Sequence, residues 1–298
     1  MIVNSAALQS IFKGFKALFN AAFSDAKPQY EKVATVVPSS TKIEEYGWLG
    51  AFPRLREWIG ERVINSLAAH GFTIKNKSFE ATIEVDRDDI EDDSYGVYTP
   101  MVQELGRSAA THPDEIVFAL LPAGFAAACY DGQYFFDTDH KDKEIADCPI
   151  QSNKGTAALS ETAYAAARAQ MMSLKDAKGN PLGIVPNLLV VPPQLEQTAR
   201  KILQADIIGN NTNVMKGTAD LLVVPWLAGD AKAWYLLDTS RSIKPLIFQQ
   251  RKKPEFVNLD SPNDQNVFMS KKYIYGVDCR DNAGYGLWQM AYGSTGAA

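Results

Sequence analysis

Phe72-Thr73-Ile74-Lys75-Asn76-Lys77-Ser78-Phe79-Glu80-Ala81-Thr82-Ile83-Glu84-Val85-Asp86 is the stretch whose periodicity decides the fold class. Phe72 and Ile74 lead into the polar triplet Asn76-Lys77-Ser78. Beyond it, Phe79, Ala81, Ile83 and Val85 alternate with Glu80, Thr82, Glu84 and Asp86. A period of two sends alternate side chains to opposite faces of a strand, so the stretch predicts a β-hairpin with one apolar and one charged face. A two-stranded ribbon is barely stable alone in water, so the face made by Phe79, Ala81, Ile83 and Val85 needs a surface to cover it.

On the N-terminal side, Gly71 separates this stretch from a helical pattern, Tyr46 to Leu67, that is interrupted near Gly50 and Pro53. Ser39, Ser40 and Thr41 ahead of Glu44 match the start of a helix, a capping hydroxyl followed by an acidic first turn. Pro28 and Pro38 bracket an extended linker with the alternating run Val33-Ala34-Thr35-Val36-Val37. Over residues 1–24, Ile11, Phe12, Phe15, Leu18, Phe19 and Phe23 recur at helical spacing and form one sticky stripe. Lys13 and Lys16 break the unbroken apolar core that a signal peptide needs. The stripe fits either a helix docked on its own core or an arm packed on a neighbouring subunit, with Phe12, Phe15 and Phe19 as the contact residues.

On the C-terminal side, the acidic run 86–93 is followed by helical periodicity from Thr99 to Gly124, with Pro100 at a favourable helix start. Pro113 is expected to kink or break that helix near Thr111-His112. Gly124 to Ile150 reads as strands and loops around Tyr130, Tyr134, Phe135 and Phe136. Ser160-Glu161 opens an Ala-rich helix through Met172, and Pro181 to Val191 reads as a buried strand. Pro192-Pro193 launches a helix through Gln204, and Leu221–Pro225 and Ala233–Asp238 read as further strands. The segment Val267 to Tyr292 alternates strongly. Strands and helices come without a regular βα repeat, so the fold class is α+β.

Of the 298 residues, 46% are hydrophobic and 22% charged, the mix of a chain that buries a sizeable core. The net charge of −5 argues against a sequence-independent grip on nucleic-acid phosphates. No apolar run reaches the roughly 20 residues needed to span a bilayer. Cys129, Cys148 and Cys279 are odd in number and far apart, which suits reduced thiols better than a disulfide framework or a local zinc motif.

Chemical motifs are sparse. The carboxylates of Asp88, Asp89, Asp92 and Asp93 suggest a divalent cation or a metal-dependent hydrolase, but they lack an EF-hand loop, and a solvated helix start explains them better. Asp137-Thr138-Asp139-His140 follows an aromatic strand and reads as a surface turn. Ser10-x-x-Lys13 matches a nucleophile spacing without its companion motifs. No acid, base and nucleophile form a set, so no catalytic, cofactor-binding or metal-binding residue is assigned.

Nine blocks, in order along the chain, carry a family likeness. They are Ile11-Phe12-Lys13-Gly14-Phe15, Thr35-Val36-Val37-Pro38-Ser39-Ser40-Thr41, Tyr46-Gly47-Trp48-Leu49-Gly50 and Arg56-Glu57-Trp58-Ile59-Gly60 in the first part. Lys75-Asn76-Lys77-Ser78-Phe79-Glu80 and Arg87-Asp88-Asp89-Ile90-Glu91-Asp92-Asp93 follow. The aromatic block 129–140, Pro186-Asn187-Leu188-Leu189-Val190-Val191-Pro192-Pro193, and 281–289 complete the set. Together they resemble the major head subunit family of Mu-like phages and prophages.

That resemblance implies the HK97-type capsid fold. Residues 1–45 would form an N-terminal arm, 46–159 an extended E-loop and a P-domain with a spine helix, 160–245 an A-domain, and 246–298 the return to the P-domain. Within this scheme the E-loop falls at about 62–88 and the spine helix at 97–124. The implied function is an icosahedral shell around double-stranded DNA, built from pentamers and hexamers of the chain and assembled in the host bacterial cytoplasm. A scaffold protein, a portal and a decoration protein are implied partners, with weak, non-specific contact to packaged DNA and none to membrane. The apolar hairpin face Phe79, Ala81, Ile83 and Val85 would then rest on a neighbouring subunit. An encapsulin-like nanocompartment shell is the alternative within the same fold.

Overall fold

The structure, a computed structural model, describes residues 5–47, 71–92, 94–141, 148–176 and 179–297. The helical pattern expected from Tyr46 to Leu67 therefore lies almost wholly outside the described residues, as do the Trp48 and Trp58 blocks and Asp93.

Helix α1 (Ser5–Asp25) leads to β1 (Ala34–Pro38), β2 (Ile43–Tyr46), β3 (Phe72–Lys75) and β4 (Lys77–Asp86). Short α2 (Arg87–Glu91), long α3 (Thr99–Phe118) and α4 (Leu120–Ala123) come next. Then follow β5 (Lys154–Gly155), α5 (Glu161–Met172), β6 (Leu188–Val191), α6 (Glu196–Gln204), the pair β7 (Ile207–Ile208) and β8 (Asn211–Thr212), β9 (Asp220–Val223) and β10 (Trp234–Leu237). The chain closes with β11 (Leu246–Leu259), α7 (Gln265–Ser270), β12 (Lys272–Tyr285) and β13 (Ala291–Ser294).

Two main sheets organise these elements. One has the order β1-β11-β12-β4, and the other β5-β13-β10-β6-β9. Strands β6 and β10 sit inside the second sheet with every residue buried, which is why they read as unbroken apolar runs. The 14-residue strands β11 and β12 pair antiparallel and join two cores. Leu246, Ile247, Phe248, Ala283 and Tyr285 belong to the larger core around the five-stranded sheet. Phe256, Tyr273, Tyr275 and Val277 belong to a smaller core beneath α1 and α3.

The expected hairpin 72–86 is corrected. Strand β3 pairs with β2, placing Tyr46 opposite Phe72, whereas β4 pairs with β12, placing Ile83 opposite Tyr275. The reason lies at Asn76. A tight hairpin needs residues at positive φ, and none of residues 76–78 adopts it. The chain runs straight on while the buried Asn76 side chain donates to Ser39 Oγ and Thr41 O, both at 2.8 Å, and accepts from Gln249 Nε2 at 2.7 Å. Asn76 is thus where one extended segment changes sheets.

Two further expectations change. Ser39, Ser40 and Thr41 make the hydrogen bonds of a capping motif, but ahead of strand β2 rather than a helix. Glu44 Oε1 accepts from the Ser39 hydroxyl, Ser40 N and Thr41 N, which holds its pKa at about 2. Helix α3 runs through Pro113 to Phe118 without ending at Thr111-His112. An interior proline costs about 3 kcal/mol, yet α3 buries Val102, Leu105, Val117 and Phe118, each worth about 1.5–3 kcal/mol. Burial wins. The next residue, Asp114, accepts from Gln29 N and Tyr30 N and so anchors the chain leaving α1.

Candidate functional site

The residues predicted to touch a neighbour are found together, but inside the chain. Leu8, Ile11, Phe15 and Phe19 line the buried face of α1. Phe15 meets Tyr275 edge-on at 5.1 Å, Phe12 stacks on Phe256 at 5.7 Å, and Phe19 lies 5.2 Å from Phe256. Ile83 and Val85, 9% and 0% exposed, fill the same core, with Ala81 packed at its margin. Phe79 is half-buried, its ring 4.3 Å from His112. In the single chain, Phe12, Phe15, Phe19, Ile83 and Val85 therefore pack on one another, the α1 stripe taking the first of its two readings, a helix docked on its own core. The arm's apolar stripe and the apolar face of the strands cover one another. Gly106 permits this approach, since a Cβ there would sit 2.5 Å from Phe19 O.

The apolar surface left over lies elsewhere. On β11, Phe256 faces α1, so Val257 and Leu259 point to the opposite side of the sheet, where Leu259 pairs with Ile274. Helix α7, at the end of the β11–β12 pair, buries only Val267, leaving Phe268 85% and Met269 72% exposed. Val257 and Leu259 are also exposed. Large apolar side chains left exposed are where another protein can pack. Sequence reading missed the exposure of Phe268 and Met269 because Val267-Phe268-Met269 looks like any strand entering a core. The available signal was its flanks: Asp260-Ser261-Pro262-Asn263-Asp264 before it and Ser270-Lys271 after it are a loop's residues.

The acidic run builds no catalytic cluster among its described members. Asp86 caps α2 by accepting from Asp88 N at 3.0 Å and pairs with Lys272 at 3.1 Å. Asp89 accepts the Tyr98 hydroxyl at 2.6 Å, and Arg87 pairs with Glu91 at 2.7 Å. Asp88 and Asp89 do decorate a helix start, but that of short α2, whereas Asp92 lies at its C-terminal end. Ser10 and Lys13 are both exposed on α1.

His140 is not on a surface turn as expected. It is wholly buried, with Nδ1 2.7 Å from Asp131 Oδ2, Nε2 3.1 Å from Asn153 Oδ1, and its ring stacked 4.0 Å from Trp288. Asn153 Nδ2 donates to three backbone carbonyls, of Phe135, Trp288 and Ala291, so its Oδ1 is the atom left to accept. Burial pushes the Asp131 carboxyl up, but the His140 hydrogen bond and charge outweigh it and hold the group below its usual range. With both ring nitrogens engaged, His140 ties the 129–140 segment to Asn153 and to Trp288 in the turn between β12 and β13, and is closed to a substrate.

Comparisons with known proteins agree along the length of the chain. The family described as Mu-like prophage major head subunit gpT matches residues 8–158, 151–227 and 228–297. The chain is 38% identical over 289 residues to the Mu-like prophage FluMu major head subunit of Haemophilus influenzae, covering 97% of this chain and 73% of that one. It is 37% identical over 291 residues to the major capsid protein of Escherichia phage Mu, covering 98% and 74%. Among solved structures it resembles a chain of the bacteriophage JBD30 procapsid, with a TM-score of 0.63 and 39% identity over 98% of this chain and 76% of that one.

Proposed function

We propose, from the premise that this chain belongs to the Mu-like prophage major head subunit family, how its surfaces serve a shell. The chain is a major capsid protein of Mu-like type with the α+β HK97-like capsid fold, a structural part of a phage virion and not an enzyme. It assembles with copies of itself. The observation that carries this is the family match running from residue 8 to residue 297, across both cores and both sheets.

The finer reading divides the chain into an arm (1–45), an E-loop and P-domain (46–159), an A-domain (160–245) and a returning segment (246–298). The base of the E-loop falls at the β2–β3 ladder rather than within 72–86, since Tyr46 and Phe72 are paired partners there. Helix α3 is the spine. Pentamers and hexamers, a scaffold protein, a portal, a decoration protein and assembly in the host cytoplasm belong to this proposal on the strength of the family. The net charge of −5 supports weak contact with packaged DNA. No observation favours a nanocompartment shell over the phage head.

Within the shell, the contact between copies falls at the α7 end of the β11–β12 pair, where Phe268 and Met269 are exposed. Replacing both with Asp removes side chains that the chain's own core does not use, so stability should change by no more than about 0.5 kcal/mol per site. Folded subunits that no longer form shells are expected, read by circular dichroism alongside particle counts. Normal shells from Phe268→Asp with Met269→Asp would show that the contact lies elsewhere.

A further inference from the structure

His112, Cys279 and Asp281 meet where α3 crosses β12, and neither the family nor the shell function accounts for the grouping. Cys279 and Asp281 stand two apart on one strand and so project from the same face. His112 reaches down from α3, with Nε2 3.2 Å from Asp281 Oδ1. One ligand atom from each residue lies within 4.8 Å of the other two. Bonds of 2.0–2.3 Å to a tetrahedral ion would set such atoms about 3.3–3.8 Å apart, so shifts of about 1 Å close the geometry.

The charge balance points the same way. Asp281 is 1% exposed, and among the described residues the side chains that hydrogen-bond it are His112 and the Cys279 thiol, with no lysine or arginine. A buried carboxylate is expensive unless a cation compensates it. Access is present too. A cleft lined by Phe79, Glu80, Ala81, Ser108 and Ala109 opens onto His112 and Cys279. The other Cys–Asp–His grouping, Cys129, Asp131 and His140, has a carboxylate held in the same way by a histidine and a thiol, but its histidine has no open side. Its histidine is wholly buried, with each nitrogen already 2.7–3.1 Å from a partner.

We propose that His112 Nε2, Cys279 Sγ and the Asp281 carboxylate bind one zinc-like divalent cation, with water from the cleft as the fourth ligand. Imidazole, thiolate and carboxylate are the donors such an ion selects. The thiol gives its proton to solvent as the metal–sulfur bond forms. Thiolate and carboxylate then offset the two positive charges, and the ion fastens the long helix to the sheet.

The test uses the full chain as soluble subunits, stripped with a chelator and titrated with Co²⁺, then Zn²⁺. One equivalent of Co²⁺ should give thiolate-to-cobalt absorption that Zn²⁺ removes, and saturating Zn²⁺ should raise the Tm. Cys279→Ser should abolish the absorption, and Cys129→Ser should keep it. His112→Gln, which retains a hydrogen-bond donor for Asp281, should weaken binding by more than about tenfold with unchanged circular dichroism. Absence of the thiolate band, its survival in Cys279→Ser, or an unchanged Tm with Zn²⁺ overturns the proposal. Should Cys279→Ser fail to fold, His112→Gln decides, since unchanged affinity there also overturns it.

Discussion

At the scale of the residue, a few buried polar side chains do the joining that apolar packing cannot specify. Asn76, Asn153 and Asp114 each hold backbone or side-chain groups from distant parts of the chain, and Asp131 holds His140 within its own segment. Two acidic groups give this a pH signature. Glu44 drops from 4.5 to about 2, because Ser40 N, the Ser39 hydroxyl and Thr41 N all donate to it. Asp131 is also lowered, the His140 bond outweighing burial. A carboxyl depressed in the fold contributes stability above its unfolded pKa, near 4, and loses that contribution as pH falls toward its folded value. Stability should therefore decline from about pH 4.5 down to about pH 2, and Glu44→Gln and Asp131→Asn should each flatten that acid limb in denaturant titrations. Acid limbs matching the parent chain's in both variants would remove these carboxyls from the account. None of these roles was legible in sequence. Asn76 looks like a turn residue and His140 like part of a loop, because the partners that redefine them lie up to 173 positions away.

At the scale of the element, Ile83 shows what alternation tells and what it withholds. The period of two located strand β4 and its apolar face, and helix α5 starts as expected, with Ser160 Oγ accepting from Ala163 N. Alternation says nothing about which surface covers that face. The same ambiguity attends α1, whose stripe suits a neighbour as well as its own core. Strand β11 escaped notice because Arg251-Lys252-Lys253-Pro254 interrupts its pattern. The register slips between Lys252 and Glu255, which is where a proline without an N–H is tolerated. Since Ile83 packs within the smaller core, Ile83→Asp buries an unpaired charge there, at a cost of more than about 3 kcal/mol. The isolated subunit should lose its cooperative unfolding transition. A subunit that stays folded and merely fails to assemble would return this strand face to the interface between copies.

At the scale of the whole molecule, β11 and β12 extend roughly 45 Å at about 3.3 Å per residue and link the two cores. A load applied at the exposed α7 end is thereby carried into the larger core around β6 and β10. That suits a shell, in which each copy holds its shape while many modest contacts add up across a closed surface. The family likeness was legible in sequence from ordered blocks, and the comparisons bear it out over nearly the full chain. The exposed apolar side chains of α7 were not legible, because exposure is a property of the finished fold. Electron microscopy of the chain co-expressed with the proposed scaffold protein tests the central claim most directly. Closed shells of uniform size are predicted, with rings or aberrant tubes when the chain is expressed alone. A strictly monomeric species at every concentration, with the scaffold present, would contradict it.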